Sequence, residues 1–144
     1  MSIPVEILKC HPDAVIPAYH SIGACAFDLS TIEDATIQPG EMVRLHTGLV
    51  ICVPENYVLL VVARSSLPRK YGLCVPQGVG VVDNDYCGPN DELLLQLLNF
   101  TDKPVEVKKG DRLVQAMFVP FEKAVFQEVA KLSNPNRGGF GSTG

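Results

Sequence analysis

Short apolar runs rich in valine, leucine and isoleucine recur along the chain, and proline, glycine and asparagine residues separate them. The clearest run extends from Tyr57 to Ala63, and a longer one from Met42 to Val53 is interrupted at Thr47-Gly48. Runs of this length and composition are typical of β-strands. About nine such strands, with turn residues at regular spacing, predict an all-β, jelly-roll-like barrel or sandwich.

The C-terminal part of the chain has a different composition. Val125, Val129 and their neighbours are expected to complete the regular structure, and the residues that follow are rich in glycine, asparagine and serine. A segment of that composition cannot build a core and is expected to be flexible. We therefore divide the chain into a β-barrel domain, residues 1–132, and a flexible glycine-rich arm, residues 133–144.

Composition and charge narrow the functional classes. Apolar residues make up 47% of the 144 residues and charged residues 19%, which is typical of one globular domain. The net charge of -4 argues against general binding to nucleic acid or to an anionic membrane. The apolar runs are shorter than the roughly 20 residues that span a bilayer, and no secretory signal is evident. We therefore expect a cytoplasmic protein that binds neither membranes nor nucleic acid.

The cysteines form no recognisable metal or redox motif. They are odd in number and widely spaced, without a C-x-x-C pair or zinc-ligand spacing. We expect reduced thiols, buried or incidental, at all of these positions, which are Cys10, Cys25, Cys52, Cys74 and Cys87.

The segment from Gly78 to Gly88 is the first candidate site. Its β-branched residues favour a strand that runs directly into Asp83, and a strand end holds a carboxylate rigidly beside a cleft. The alternative is a hairpin in which residues 83–85 (Asp-Asn-Asp) form an ordinary turn. The segment alone does not decide between these interpretations.

A second candidate follows the apolar run that ends at Ala63. Arg64 offers paired planar donors, and Ser65 and Ser66 add hydroxyl groups, so this segment suits a phosphate. The serines are equally suited to begin a short helix with Pro68 in its first turn, the only helix that we expect. Both interpretations can hold together, because a helix N-terminus also attracts phosphate.

Two further features suit a phosphorylated ligand. Gln115 lies in a predicted strand, where its amide can donate to a phosphate or hold a water. In the terminal arm, backbone amides, hydroxyls and Arg137 can surround a polyphosphate while Phe140 stacks on a base. The alternative for the arm is a disordered terminus.

Five motifs in this chain resemble those of the trimeric deoxyuridine triphosphatases (dUTPases), in the family's order and over nearly the whole length. Any one of them is a weak signal, but five in order are specific. They are residues 24–29 (ACAFDL), 64–67 (RSSL), 80–88 (GVVDNDYCG), 110–115 (GDRLVQ) and 138–144 (GGFGSTG).

The resemblance implies hydrolysis of dUTP to dUMP and pyrophosphate, with Mg²⁺ bound by the triphosphate. It implies that Asp83 orients and deprotonates the attacking water, and that Asp28 holds waters of the Mg²⁺ shell. It also implies a homotrimer with shared active sites. Implied phosphate contacts are Arg64, Ser65, Ser66 and Gln115, and the implied lid residues are Arg137, Phe140, Gly141 and Ser142.

The resemblance further implies how the nucleoside is selected. Main-chain groups from Gln77 to Val82, which include Gly80 and Val81, can pair with uracil and leave cytosine unpaired. A narrow hairpin excludes the methyl group of thymine, and Tyr86 against the sugar leaves no room for a ribose 2′-hydroxyl.

The chain departs from the family pattern at several positions. Ala26 and Ser66 each replace a common glycine, and Gln77 stands where many members have an asparagine. Residues 89–91 are an insertion, and the arm is shortened so that Arg137 lies two residues nearer to Phe140.

Two other functions are compatible with this architecture. A dCTP deaminase, or a bifunctional enzyme of the same fold, needs a carboxylate over the pyrimidine ring, but Gln96 occupies the position of the deaminase glutamate. A non-catalytic nucleotide-binding regulator would not require Asp83. Both alternatives are therefore less well supported than a dUTP diphosphatase.

Overall fold

A computed structural model of the protein describes residues 2–141. Within these residues the protein has eleven strands and one helix. They are β1 (Ile7–Lys9), β2 (Phe27–Ser30), β3 (Ala35–Ile37), β4 (Met42–His46), β5 (Leu49–Ile51), β6 (Tyr57–Ala63), α1 (Leu67–Tyr71), β7 (Leu73–Cys74), β8 (Val79–Val82), β9 (Leu94–Asn99), β10 (Val105–Val107) and β11 (Arg112–Pro120). The predicted all-β, jelly-roll-like fold with a single short helix is confirmed, and the two strands beyond the predicted nine are among the short ones.

Every strand pairing is antiparallel. A four-stranded sheet has the order β2-β11-β6-β8, and a three-stranded sheet has the order β4-β9-β7. Two separate pairs, β1 with β5 and β3 with β10, complete the pairings. One apolar cluster joins Leu29, Leu59 and Leu113 of the first sheet to Leu95 and Leu97 of the second. The core therefore lies between the inner faces of the two sheets.

The helix α1 ends at a glycine for steric reasons. Gly72 has φ 67°, a left-handed conformation that residues with a Cβ adopt only with strain, and its N–H donates to Pro68 O at 3.0 Å. A Cβ at this position would also collide with the side chain of Thr101. Gly72 thus ends the helix and allows the chain to enter β7 at once.

Residues 121–141 contain no helix or strand. The prediction that Val125 and Val129 complete the regular structure is therefore wrong, and β11 is the last regular element of the described chain. Val125 is 96% exposed and Phe126 is 95% exposed, so these apolar side chains pack against almost nothing among residues 2–141. The predicted domain boundary at residue 132 stays a prediction.

The expectation of unpaired cysteines is wrong for two of the five. Cys52, just after β5, and Cys87, beyond β8, form a disulfide with their Cα atoms 5.0 Å apart. The pairing depends on the antiparallel return of β8 along β6, which spacing in the sequence does not reveal. Cys10, Cys25 and Cys74 are free thiols, as expected. Within the described part of the chain, no helix is long and apolar enough to span a membrane.

Asn99 is a buried polar residue whose hydrogen bonds are all made. Its Nδ2 donates to Ile37 O at 2.9 Å and to Lys103 O at 2.8 Å, and its Oδ1 accepts from the N–H and the hydroxyl of Thr101. The side chain thereby fixes the turn between β9 and β10 against the end of β3.

We expect Asn99→Ala to lower the free energy of unfolding by about 2–4 kcal/mol, because it leaves buried carbonyl and amide groups without partners. Urea unfolding would measure the change. Asn90→Ala, at an exposed loop position, is the control and should change stability by less than about 0.5 kcal/mol. Equal stability of the two variants would contradict this assignment.

His46 and Glu92 connect β4 to the segment before β9. The His46 Nδ1 and Glu92 Oε2 atoms are 2.8 Å apart, and Glu92 Oε1 also accepts from Gly48 N at 2.7 Å. The hydrogen bond with Glu92 raises the pKa of His46 above its ordinary 6.5; partial burial opposes this shift, and the charges of Glu92 and Glu33 add to it.

A raised histidine pKa means that the protonated pair stabilises the folded state. This contribution is fully present below about pH 6.5, the ordinary value, and is lost as the pH rises through the folded-state pKa. We therefore expect wild type to exceed His46→Gln in Tm by more at pH 6 than at pH 8.5. Glu92→Gln, which keeps an acceptor for Gly48, should show the same trend. A Tm difference that does not change with pH would refute the assignment.

Candidate active site

The four-stranded sheet brings three separate motifs side by side. On β11, Gln115 lies opposite Asp28 of β2 on one side and opposite Val62 of β6 on the other. The Gln115 amide donates from Nε2 to Ala63 O at 3.2 Å, one residue before Arg64. The first, second and fourth sequence motifs therefore meet at the same end of this sheet.

Two arginines hold the carboxylate of Asp28. Arg64 Nε lies 3.0 Å from Asp28 Oδ1, and Arg112 Nη1 lies 3.1 Å from Asp28 Oδ2. Arg64 Nη1 also donates to the main-chain oxygen of Arg112 at 2.9 Å. The Asp28 side chain is only 12% exposed, so the two guanidinium groups shield it from water. With two cations around one anion, this cluster carries a net positive charge within an acidic protein.

Neither Arg112 nor His20 was selected from the sequence as a site residue. His20 Nε2 is 2.9 Å from Arg112 Nη1 and 3.5 Å from Asp28 Oδ2, so it lies at the edge of the same cluster. Arg112 belongs to the Gly-Asp-Arg segment of the fourth motif, which was a usable signal. His20 precedes the first motif by four residues but belongs to none of the five, so the motifs gave no signal for it.

The Arg-Ser-Ser segment forms the entrance of α1. Ser66 occupies the N-cap position, but its side chain makes no capping hydrogen bond, so its hydroxyl is not used for the predicted cap. Ser65 and Ser66 line an open cavity of about 420 Å³ together with Arg69 and Lys70. The motifs gave no signal for these two basic residues, although they follow Ser66 by only three and four positions.

The proposed nucleoside hairpin is an edge strand. In the order β2-β11-β6-β8, β8 pairs only with β6, from Leu59↔Val82 to Val62↔Val79. Within residues 2–141, the outer N–H and C=O groups of β8 therefore face away from any partner strand, and such groups can pair with a ligand. Val81 is 63% exposed on this edge.

The absence of a side chain at Gly80 allows β8 to approach Val61 and Gln77 closely. A Cβ added to Gly80 would lie 3.2 Å from Val61 Cβ and 3.6 Å from Gln77 Nε2. The amide of Gln77 thus lies close to the backbone of β8. Gln77 also accepts a hydrogen bond at Oε1 from Gln96 Nε2, at 3.3 Å.

Asp83 and Tyr86 lie in the turn that follows β8. Asp83 is exposed, and its main-chain oxygen accepts from Tyr86 N at 3.3 Å. The Tyr86 hydroxyl donates to Glu92 O at 3.0 Å, which fixes the ring beside the inserted loop. The turn and the exposed carboxylate are both present, so neither of the two sequence interpretations excludes the other.

The strand register separates Asp83 from Arg64 within one chain. Val82 lies opposite Leu59, whereas Arg64 follows the other end of β6. Five residues separate positions 59 and 64, and at about 3.3 Å per residue they span roughly 16 Å. Asp83, the candidate general base, and Arg64, a candidate phosphate contact, therefore lie at opposite ends of β6 within a single chain.

The described part of the C-terminal arm is exposed. Arg137, Phe140 and Gly141 all lie on the surface, and Phe140 is 114% exposed with φ 50°. Ser142 lies outside the described residues.

Carboxylate ligands for a directly bound magnesium ion are sparse around this site. Within the described residues, no group of three or more His, Cys, Asp or Glu side chains is arranged to hold a metal ion. Both oxygens of Asp28 accept from arginines, yet a carboxylate has about four lone-pair sites and can still accept from a metal-bound water. The site therefore suits an ion that is bound by phosphates and reaches Asp28 through water.

The comparisons with known proteins agree with the motifs. A family model described as dUTPase matches residues 13–144. The deoxyuridine 5'-triphosphate nucleotidohydrolase of Nautilia profundicola is 39% identical over 142 residues, covering 97% of this chain and 98% of that protein. The protein of the same name from Desulfitobacterium hafniense is 41% identical over 150 residues, covering 99% and 97%.

Solved structures show the same similarity. The dUTPase from Streptococcus mutans has a TM-score of 0.75 at 32% identity and covers 85% of this chain and 98% of its own. The dUTPase of Staphylococcus bacteriophage 80alpha, in a structure with dUPNHPP, has a TM-score of 0.88 at 20% identity, covers 99% of both chains, and shows the likeness of fold. Because the family model spans most of the sequence and relatives near 40% identity cover almost all of it, the chain belongs to the dUTPase family.

Proposed function

We propose that this protein, a dUTP nucleotidohydrolase by family, cleaves dUTP to dUMP and pyrophosphate through attack of water on the α-phosphorus. The water oxygen forms the new bond to phosphorus, the bond to the α,β-bridging oxygen breaks, and Asp83 accepts the proton. The observation that carries the proposal is the alignment of Asp28, Gln115 and Arg64 at one end of the sheet whose edge strand is β8.

Phosphate binding is assigned to the Arg64 end of this sheet. A guanidinium group has five N–H donors, and Asp28 and the Arg112 carbonyl use two of those of Arg64. The remaining donors are held in a fixed direction and, with Ser65, Ser66 and Gln115, contact the phosphate oxygens. Asp28 thus orients the arginine instead of neutralising it. We also propose that residues 133–144, including Arg137, Phe140, Gly141 and Ser142, close over the substrate.

Magnesium is proposed as the cofactor. When bound to the triphosphate, Mg²⁺ offsets its negative charge, and Asp28 would hold the ion through water. The role of the protein is then to position the phosphate chain, which lowers the barrier by fixing the attack geometry.

Uracil recognition is assigned to the free edge of β8. Outward main-chain groups from Gln77 to Val82 match the O4 acceptor and N3 donor of uracil, which cytosine reverses. The Tyr86 ring, fixed through its hydroxyl to Glu92 O, is placed against the sugar.

The separation of Asp83 from Arg64 supports active sites shared between subunits of a homotrimer. A substrate whose base lies on β8 of one subunit would place its phosphates on Arg64 of another. Exposed apolar side chains beyond β11, among them Val125, Phe126 and Leu132, supply surface for such an assembly. The chain would therefore be active only as an oligomer.

The role of Asp83 is tested by Asp83→Asn, which keeps the size of the side chain but cannot accept the proton. We expect turnover of dUTP to fall by roughly 10²–10⁴-fold while a non-hydrolysable dUTP analogue still binds. Pyrophosphate release and calorimetry measure the two effects.

Asp85→Asn, in the same turn, is the matched control and should retain most of the activity. Wild type should release pyrophosphate from dUTP and far less from dCTP, dTTP or UTP. If wild type leaves dUTP intact with Mg²⁺ present, the proposed function is wrong; if Asp83→Asn is fully active, only the role of Asp83 is lost.

Shared sites are tested by mixing two inactive chains. We expect Asp83→Asn and Arg64→Gln each to be inactive alone. In a co-expressed equal mixture, roughly a quarter of the sites (one half times one half) should combine an intact Asp83 with an intact Arg64 from another chain. Sedimentation first confirms that both variants assemble. Assembled mixtures without regained activity would place both residues of a site on one chain.

A further inference from the structure

A hydrogen-bonded series of three side chains, Arg44, Gln96 and Gln77, connects the outer face of the three-stranded sheet to the edge of the proposed uracil site. Arg44 of β4 lies opposite Gln96 of β9, and Arg44 Nε donates to Gln96 Oε1 at 3.0 Å. Gln96 Nε2 then donates to Gln77 Oε1 at 3.3 Å. This hydrogen-bonded series therefore ends at Gln77, which a single residue, Gly78, separates from β8.

Arg44 fixes the orientation of the two glutamine amides in this series. An isolated glutamine amide can turn either its oxygen or its nitrogen toward a neighbour, but a guanidinium group can only donate. The oxygen of Gln96 must therefore face Arg44, and its NH₂ group must face Gln77. Gln77 in turn presents its oxygen to Gln96, which leaves its own NH₂ group as a donor for other partners.

The free donor of Gln77 lies at the proposed nucleoside edge. Its Nε2 atom is 3.6 Å from the position that a Cβ on Gly80 would take, so it lies against the backbone of β8. Gln77 is exposed, and the donor is accessible to a ligand. A donor at this position complements a carbonyl oxygen and opposes an amino group.

We propose that Arg44 and Gln96 are positioning residues that select uracil over cytosine, because they hold Gln77 with its NH₂ group toward O4 of the base. This proposal rests on the proposed function, in which β8 binds the pyrimidine. Uracil has an acceptor at O4, whereas cytosine has an amino donor there, so two donors would face each other in a dCTP complex.

The test reverses the orientation of the Gln77 side-chain amide. In Gln96→Glu, the carboxylate accepts from both neighbours, so Gln77 must turn its NH₂ group toward residue 96 and its oxygen toward the base. We expect the ratio of kcat/KM for dUTP over dCTP, measured as dUMP formed from dUTP and dCMP formed from dCTP, to fall on the order of tenfold or more. Arg44→Met removes the fixed end and should give an intermediate ratio.

Two comparisons separate this role from a merely structural one. Lys9→Met removes an exposed cation from another strand and should leave the ratio unchanged. In a Gln77→Ala background, Gln96→Glu should no longer change the ratio, because the residue through which it acts is absent. An unchanged ratio in Gln96→Glu, or an equal effect in the Gln77→Ala background, would overturn the proposal.

The outcome is also separable from the proposed function itself. Hydrolysis of dUTP by the wild type tests the proposed function. Only the change in the ratio of kcat/KM for dUTP over dCTP tests the positioning role of Arg44 and Gln96. Calorimetry with non-hydrolysable dUTP and dCTP analogues reads the same preference without turnover. Similar loss of affinity for both analogues in Gln96→Glu would count against a role in base selection.

Discussion

The pairing of β11 with β6 is the constraint on which the rest of the site depends. It extends over seven residue pairs, from Val114↔Ala63 to Pro120↔Tyr57, and each strand also pairs with a further strand on its other side. Because side chains alternate along a strand, a slip of one residue would turn Gln115 to the opposite face of the sheet. The buried side chains of Leu59, Val114 and Ala116 oppose such a slip, so core packing fixes the position of the polar site.

The surroundings of Asp28 show how an acidic protein can concentrate positive charge locally. The chain has a net charge of -4, so overall attraction does not bring a triphosphate to it. Arg64 and Arg112 instead concentrate positive charge around one shielded carboxylate, whose partial burial strengthens these pairs relative to exposed ones. Local arrangement therefore matters more here than the net charge.

Local patterns in the sequence predict much of this structure. The apolar run that became β6 and the break between β4 and β5 were both evident, as was the helix after Ser66, because each depends on neighbouring residues. Arg64 and Asp83 directly follow β6 and β8, whereas Asp28 and Gln115 lie within β2 and β11. The pairing of Asp28 with Arg64 and Arg112, the Cys52–Cys87 bond and the position of Gln96 beside Gln77 were not evident, because each joins distant parts of the chain. Val125 misled the prediction, since an apolar residue suits a buried strand and an exposed arm alike.

The bond between Cys52 and Cys87 has a topological consequence. It closes a covalent ring that contains β6, α1, β7 and β8, and thus both the Arg-Ser-Ser segment and the free edge strand. A peptidase that cuts one exposed bond in this ring, for example beside Arg69, produces two pieces that remain joined. The nicked protein would migrate as a single species until a thiol reductant separates the pieces, so the Arg-Ser-Ser segment and the edge strand β8 stay covalently linked even when the backbone between them is broken.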